Sequence, residues 1–259
     1  MSAFEGAVLD LDGTVYRGDE ALPGAVDAIE RLRASDIRTL FFSNNPTKSR
    51  TAYVERLGRL GIDADPGEVL SAGTVTTRYL VEEHAGETVF LIGAAGLREQ
   101  FETAGIDLVS DSTAADVLVV SWTDEFEYGD LLAGYRAIAS GATFYGTDPD
   151  RLIPAAEGMA PGSGAIVNAV AGTVQKEPKK YLGKPSKESQ RAALDTLGAP
   201  ADRCFVVGDR LNTDIELGER AGMTTVLVKT GVTTDEDLEN SDVRPDHVLD
   251  SLGDIDSIL

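Results

Sequence analysis

The chain has a single cysteine, Cys204, in 259 residues, which excludes an intramolecular disulfide and any zinc cluster built on several cysteines. Its apolar neighbours place that thiol in a buried strand, where it acts as a small hydrophobe. Long apolar runs are missing too, and none approaches the roughly 20 residues that a membrane-spanning helix needs. The opening residues Met1 to Gly6 lack a basic segment followed by an apolar stretch, so they do not read as a signal peptide, and a cytoplasmic protein is the expectation. Positive charge is scarce: 23 Lys and Arg stand against 44 Asp and Glu, for a net charge of −21. Such a surface repels phosphate backbones and argues against a broad nucleic-acid interface. Most of this acid is read as solvated surface of the kind suited to high salt, where screening removes self-repulsion. No internal repeat or low-complexity tract is evident, so a solenoid is not expected.

What is present is an alternation of short apolar runs with helical patterns, which predicts an α/β protein with a Rossmann-like, doubly wound, largely parallel sheet. Gly6-Ala7-Val8-Leu9 breaks into Asp10-Leu11-Asp12-Gly13-Thr14, and Pro23-Gly24 then introduces a helix with Ala25, Ile29 and Leu32 at helical spacing. Thr39-Leu40-Phe41-Phe42 is a second buried strand, ending in Ser43-Asn44-Asn45-Pro46. A middle stretch with strands near 88–93, 117–120 and 143–145 can form its own small α/β layer, ending in the Gly- and Pro-rich segment from Asp148 to Gly164. We therefore expect a core of residues 1–78 and 180–259 with an inserted α/β domain at 79–179. The last third returns to the opening pattern, with Cys204-Phe205-Val206-Val207 feeding Gly208-Asp209. The acidic segment from Thr233 to Asp246 is expected to pack only loosely.

Polar residues that follow buried strands are where doubly wound sheets bind ligands. Asp10 and Asp12 crowd two carboxylates into one loop beside an apolar strand, an arrangement that needs a divalent cation or a lysine nearby. The same Asp-x-Asp pattern also suits an ordinary solvated turn. Asp209 and Asp214, in Gly-Asp-Arg-Leu-Asn-Thr-Asp, repeat the arrangement at another strand end, although either could simply cap a helix. Asp10 with Asp209 supplies the hard oxygen ligands that Mg²⁺ prefers, and Asp214 would orient a bound water. Ser43 and Asn44 offer donors suited to phosphate oxygens, and Lys184, in Gly183-Lys184-Pro185-Ser186, can neutralise both phosphate and carboxylates.

Asp10-Leu11-Asp12-Gly13-Thr14, Ser43-Asn44-Asn45, Gly183-Lys184-Pro185 and Gly208-Asp209 with Thr213-Asp214 resemble the four ordered motifs of the haloacid dehalogenase (HAD) superfamily. More narrowly, they resemble the branch of NagD-type, 4-nitrophenyl phosphate, phosphoglycolate and pyridoxal phosphate phosphatases, whose large α/β cap the insert resembles. The resemblance spans nearly the whole chain. It implies a phosphatase in which Asp10 is the nucleophile and Asp12 the general acid and base. It also implies that Asp10, the Asp12 carbonyl and Asp209 hold Mg²⁺, and that Gly13, Ser43, Asn44, Asn45 and Lys184 hold the phosphoryl group. Asp12 favours a phosphatase or a phosphomutase over dehalogenases and ion-pumping ATPases, while a non-catalytic Mg²⁺-binding phospho-acceptor is the alternative of a different class. The substrate expected is a small phosphorylated metabolite, with specificity contacts from Asp148, Arg151 and Glu157, and related caps imply a homodimer. The segment Gly146 to Asp150 resembles one that usually has Asn where this chain has Asp148.

Overall fold

The computed structural model describes residues 4–155 and 158–259. The chain folds as two compact units, one of Met1–Ser43, Arg50–Leu70 and Ser189–Leu259, the other of Asn44–Ser49 and Ser71–Glu188.

The first unit is built on a six-stranded sheet in the order His247–Leu249, Thr224–Val228, Cys204–Gly208, Gly6–Leu9, Arg38–Ser43, Val69–Ser71. Gly6–Leu9 pairs in parallel with both Cys204–Gly208 and Arg38–Ser43, and Thr224–Val228 continues the parallel set. The strands read as short unbroken apolar runs because both faces are covered, as parallel sheets require. Ala7, Leu9, Phe205, Val207 and Val226 join one core with Ala25, Ala28, Ile29 and Leu32 of the helix Ala25–Ala34. Cys204 is buried, and burial pushes its thiol up to about 11, so it packs as an apolar side chain. From Gly6–Leu9 the chain builds the sheet first toward Arg38–Ser43, and after the second unit it builds toward Thr224–Val228. The order reverses between Gly6–Leu9 and Cys204–Gly208, the kind of switch point where such sheets open a crevice at their carboxyl ends.

The second unit has a five-stranded parallel sheet in the order Lys180–Tyr181, Thr143–Gly146, Val117–Val120, Thr88–Ile92, Asp107–Leu108. Alternate residues serve opposite faces: Val117 and Val119 pack with Leu80, Leu97 and Phe101, while Leu118 and Val120 pack with Ala137, Val167 and Val170. Elements on either side of residues 79–179 belong to this unit. The helix Ala72–Glu83, started by a Ser71–Thr74 capping box, sends Leu80 into this core, and Lys180–Tyr181 is its edge strand.

Two local features add to the sequence reading. Within the segment from Asp148 to Gly164, Leu152–Ala155 and Gly158–Pro161 pair as an antiparallel hairpin, so Pro161 ends a strand and the helix begins at Ser163. The acidic segment after Thr233 forms the helix Asp235–Asn240, capped by Thr234, and its Leu238 and Val243 pack against Leu211, Ile215 and Leu227. No residue of that helix is buried, so the segment packs as lightly as its composition suggests. Among the described residues, no helix is long and apolar enough to cross a membrane.

Candidate active site

In the first unit, the ends of two neighbouring strands bring Asp10 beside Asp209. One carboxylate oxygen from each of Asp10, Asp209 and Asp214 lies within 4.8 Å of the others, and all three residues are buried. Each pair of full charges at that separation repels by roughly 3 kcal/mol at an effective dielectric of about 20. Summed over three pairs, this rivals the whole stability of a typical domain. The donor set, all oxygen and all acidic, fits a hard divalent cation, which would convert the repulsion into attraction.

The backbone holds these acids in place. Asp209 Oδ2 accepts the Val232 N–H at 2.7 Å, and Asp214 Oδ2 accepts the Arg210 N–H at 3.1 Å. The Thr233 hydroxyl donates to the Asp209 carbonyl at 2.6 Å, and the Thr230 hydroxyl donates to the Gly13 carbonyl at 2.6 Å. The loop 230–233 thus clamps both acid loops from the end of a third strand, a role that its residue types did not signal. Asp214 lies in the irregular turn Leu211–Ile215 that precedes the helix Glu216–Ala221, which swings its carboxylate back toward Gly208. Gly13 has φ +92°, and a Cβ there would stand 2.7 Å from Asp209 Oδ2, so only glycine lets the loop after Asp10 pass this close.

Asp12 is half-buried. Two tyrosines feel its charge: the phenols of Tyr16 and Tyr53 are held well above their ordinary range, first by burial and then in part by Asp12. Tyr53 shares a hydrogen bond with the buried hydroxyl of Ser43, and the Arg56 guanidinium stacks 4.0 Å from the Tyr16 ring centroid. Tyr16, Tyr53 and Arg56 were not anticipated from the sequence, since buried aromatics ordinarily look like core.

The remaining candidates fall in the second unit. Asn44 Oδ1 accepts the Lys184 N–H at 2.8 Å, while Asn44 Nδ2 donates to the Lys184 carbonyl at 3.2 Å and to Asp150 Oδ2 at 3.3 Å. Gly183 runs beside Thr147, and a Cβ on it would meet Asn44 Oδ1 and the Thr147 carbonyl, each at 2.8 Å. Asn44 and Lys184 are therefore locked together, and both are buried. Asn45 folds back on its own loop, its Oδ1 accepting the Thr47 N–H at 3.0 Å and the Thr47 hydroxyl at 2.7 Å. Asp148 is also buried, with its carboxyl engaged inside the unit by Thr147 and the Asp150 N–H, whereas Arg151 is exposed. Glu157 lies outside the described residues. Asp150, bonded to Asn44, is a site neighbour that the sequence reading passed over.

The chain is similar to known proteins over nearly its whole length. Residues 7–107 match the family described as haloacid dehalogenase-like hydrolase, and residues 181–255 match a second family described as HAD-hydrolase-like. An acid sugar phosphatase of Staphylococcus epidermidis is 34% identical over 252 residues, which is 97% of this chain and 96% of that protein. The structure superposes on p-nitrophenyl phosphatase from Archaeoglobus fulgidus with a TM-score of 0.93 at 35% identity, covering 99% of each chain. It superposes on NagD from E. coli with a TM-score of 0.87 at 25% identity, covering 97% of this chain and 98% of the other.

Proposed function

The chain belongs to the haloacid dehalogenase-like hydrolases and is a phosphatase, and from that premise we propose that it hydrolyses small phosphomonoesters through a phosphorylated Asp10. The observation that carries the reading is the buried cluster of Asp10, Asp209 and Asp214 at the sheet's switch point, with a second acid, Asp12, two residues beyond the first.

In the first half-reaction a carboxylate oxygen of Asp10 attacks phosphorus, the ester P–O bond breaks, and Asp12 gives its proton to the departing oxygen. In the second, Asp12 takes a proton from water as that water attacks phosphorus, and the bond to Asp10 breaks to release phosphate. Ser43, Asn44, Asn45, Lys184 and the Gly13 backbone hold and neutralise the phosphoryl oxygens, because phosphoryl transfer is mostly positioning and charge stabilisation. Mg²⁺ would be held by Asp10, Asp209 and the Asp12 carbonyl, with Asp214 acting through water, and when bound it supplies charge neutralisation for the incoming phosphate. The names of the relatives point to sugar phosphates and aryl phosphates as the first esters to try.

The test is steady release of phosphate from 4-nitrophenyl phosphate in Mg²⁺, with many turnovers per chain. A single stoichiometric burst would instead favour a phospho-acceptor, and transfer between sugar positions without net phosphate would favour a mutase. Asp12→Asn separates the chemistry further. It should lower kcat/KM for a sugar phosphate by about 100-fold or more, in line with a lost general acid. For 4-nitrophenyl phosphate, whose leaving group needs little protonation, the loss should be much smaller, and phosphoenzyme should accumulate. Equal losses on both esters, with no trapped phosphoenzyme, would remove Asp12 from the acid and base role.

A further inference from the structure

The second unit carries two acids that the reaction above does not use. Asp148 and Asp150 flank Pro149 and are only 2% and 6% exposed. The Asp150 N–H donates to Asp148 Oδ1 at 3.2 Å, so the two side chains leave one tight loop. Around Asp148 stand hydroxyls. Thr147 Oγ1 lies 3.1 Å from its Oδ2 and 3.0 Å from Ser121 Oγ, so Thr147 can donate to the carboxyl while accepting from Ser121, and Ser163 adds a further hydrogen bond. The charged or titratable groups that bear on Asp148 are Asp150 and the phenol of Tyr181, which also feels Glu177 and Arg151. Among the described residues, the influences that set the Asp148 carboxyl are its burial, Asp150 and hydrogen bonds from Ser163, Thr147 and the Asp150 N–H. Two carboxylates buried in one tight loop cannot both carry charge cheaply.

Asp150 faces the other way, toward the phosphate-holding pair. Its Oδ2 accepts from Asn44 Nδ2, the same amide nitrogen that donates to the Lys184 carbonyl. A charged acceptor strengthens and orients that bond. Through Asn44, which also takes the Lys184 N–H, the orientation of Asp150 is passed to the backbone that carries the Lys184 side chain.

We propose that Asp148 and Asp150 share one proton, resident on Asp148, and that this leaves Asp150 as the charged positioning residue that sets Asn44 and Lys184 for phosphate. The inference rests on the phosphatase reading of those two residues. Burial, together with the charge of Asp150, holds the Asp148 carboxyl up at about 8. Below that pH the pair carries one charge and the Asn44–Lys184 arrangement is set. As pH rises through that value a second charge enters the loop, the carboxylates push apart, and Asn44 loses its fixed acceptor.

The consequence for stability has a definite sign. An acid raised in the folded state favours folding, relative to full ionisation, below its unfolded value near 3.8, and that advantage is lost as pH climbs to about 8. Asp148→Asn keeps the shape without the ionisation. It should therefore melt close to the wild type near pH 4, melt higher at pH 7, and hold its largest margin above pH 8. A margin that does not vary with pH would overturn the shared proton.

Kinetics on the full chain with saturating Mg²⁺ tests the positioning. The KM of the wild type for 4-nitrophenyl phosphate, an ester already dianionic above pH 7, should climb between pH 7 and 9.5, and that of Asp148→Asn should climb much less. Asp150→Ala should raise KM about tenfold, the scale of one buried hydrogen bond, with a smaller change in kcat. Asp150→Asn, whose amide oxygen still accepts from Asn44 but without charge, should recover only part of the loss. Superimposable KM profiles for wild type and Asp148→Asn, or an unchanged KM in Asp150→Ala, would overturn the proposal. If the wild type failed to turn over the ester at all, the phosphatase reading would fall, while the melting comparison would still report on the proton.

Discussion

Asp10→Asn is expected to lower kcat on 4-nitrophenyl phosphate by about 10⁴-fold or more, the scale of losing a nucleophile that acts with its partners as a unit. The same variant should melt no lower than the wild type in metal-free buffer. The two expectations come from one feature. Asp10 is a buried member of a cluster whose three carboxylate oxygens lie within 4.8 Å of one another. An amide preserves the shape of that side chain and its fit beside Gly13, but it cannot attack phosphorus. It also removes two of the three repulsive charge pairs in the cation-free protein, so any change in melting temperature should be upward. Turnover within about tenfold of wild type, in a protein that melts normally, would exclude the covalent route through Asp10.

Asp209→Ala should weaken Mg²⁺ binding by about 100-fold or more and drag activity down with it, since losing a residue that merely supports a ligand already costs about 10–100-fold in other metal sites. Asp214→Ala should weaken it less, because its part is assigned to a bound water. Each has one carboxylate oxygen held by a backbone N–H, from Val232 and Arg210 respectively. Direct titration of Mg²⁺ into the purified variants reads the ranking without relying on turnover. Wild-type affinity in Asp209→Ala would remove it from the metal site. Through the Val232 contact the loop 230–233 would support a metal held by Asp209, although none of its own oxygens is assigned as a ligand.

Much of this site is legible in the order of the amino acids. Four-residue apolar runs that stop abruptly at Asp, Ser or Gly-Asp are local signals, and they mark Asp10, Ser43 and Asp209 as residues at the ends of Gly6–Leu9, Arg38–Ser43 and Cys204–Gly208. The helix Ala25–Ala34 is equally plain, because its buried Ala25, Ile29 and Leu32 recur at the helical period. Weaker signals fail. The hairpin Leu152–Ala155 with Gly158–Pro161 is hidden by Pro and Gly, which read as punctuation, and the helix Asp235–Asn240 is hidden by its acid.

The fold class was legible in the sequence alone, as was the place of the candidate acids at strand ends, since both follow from short-range periodicity and from which residue types tolerate burial. Only the tertiary structure decided which strand ends are neighbours. The pairing of Gly6–Leu9 with Cys204–Gly208 is a long-range contact with no local signature, and it alone makes one cluster of Asp10, Asp209 and Asp214. The same holds for Asp148 and Asp150. Two acids around a proline look like a solvated turn in the sequence, and what makes them a titrating pair joined to Asn44 is the burial imposed by side chains far away in the chain. A carboxylate's charge state is set by what surrounds it in space, and that is the information the linear order does not carry.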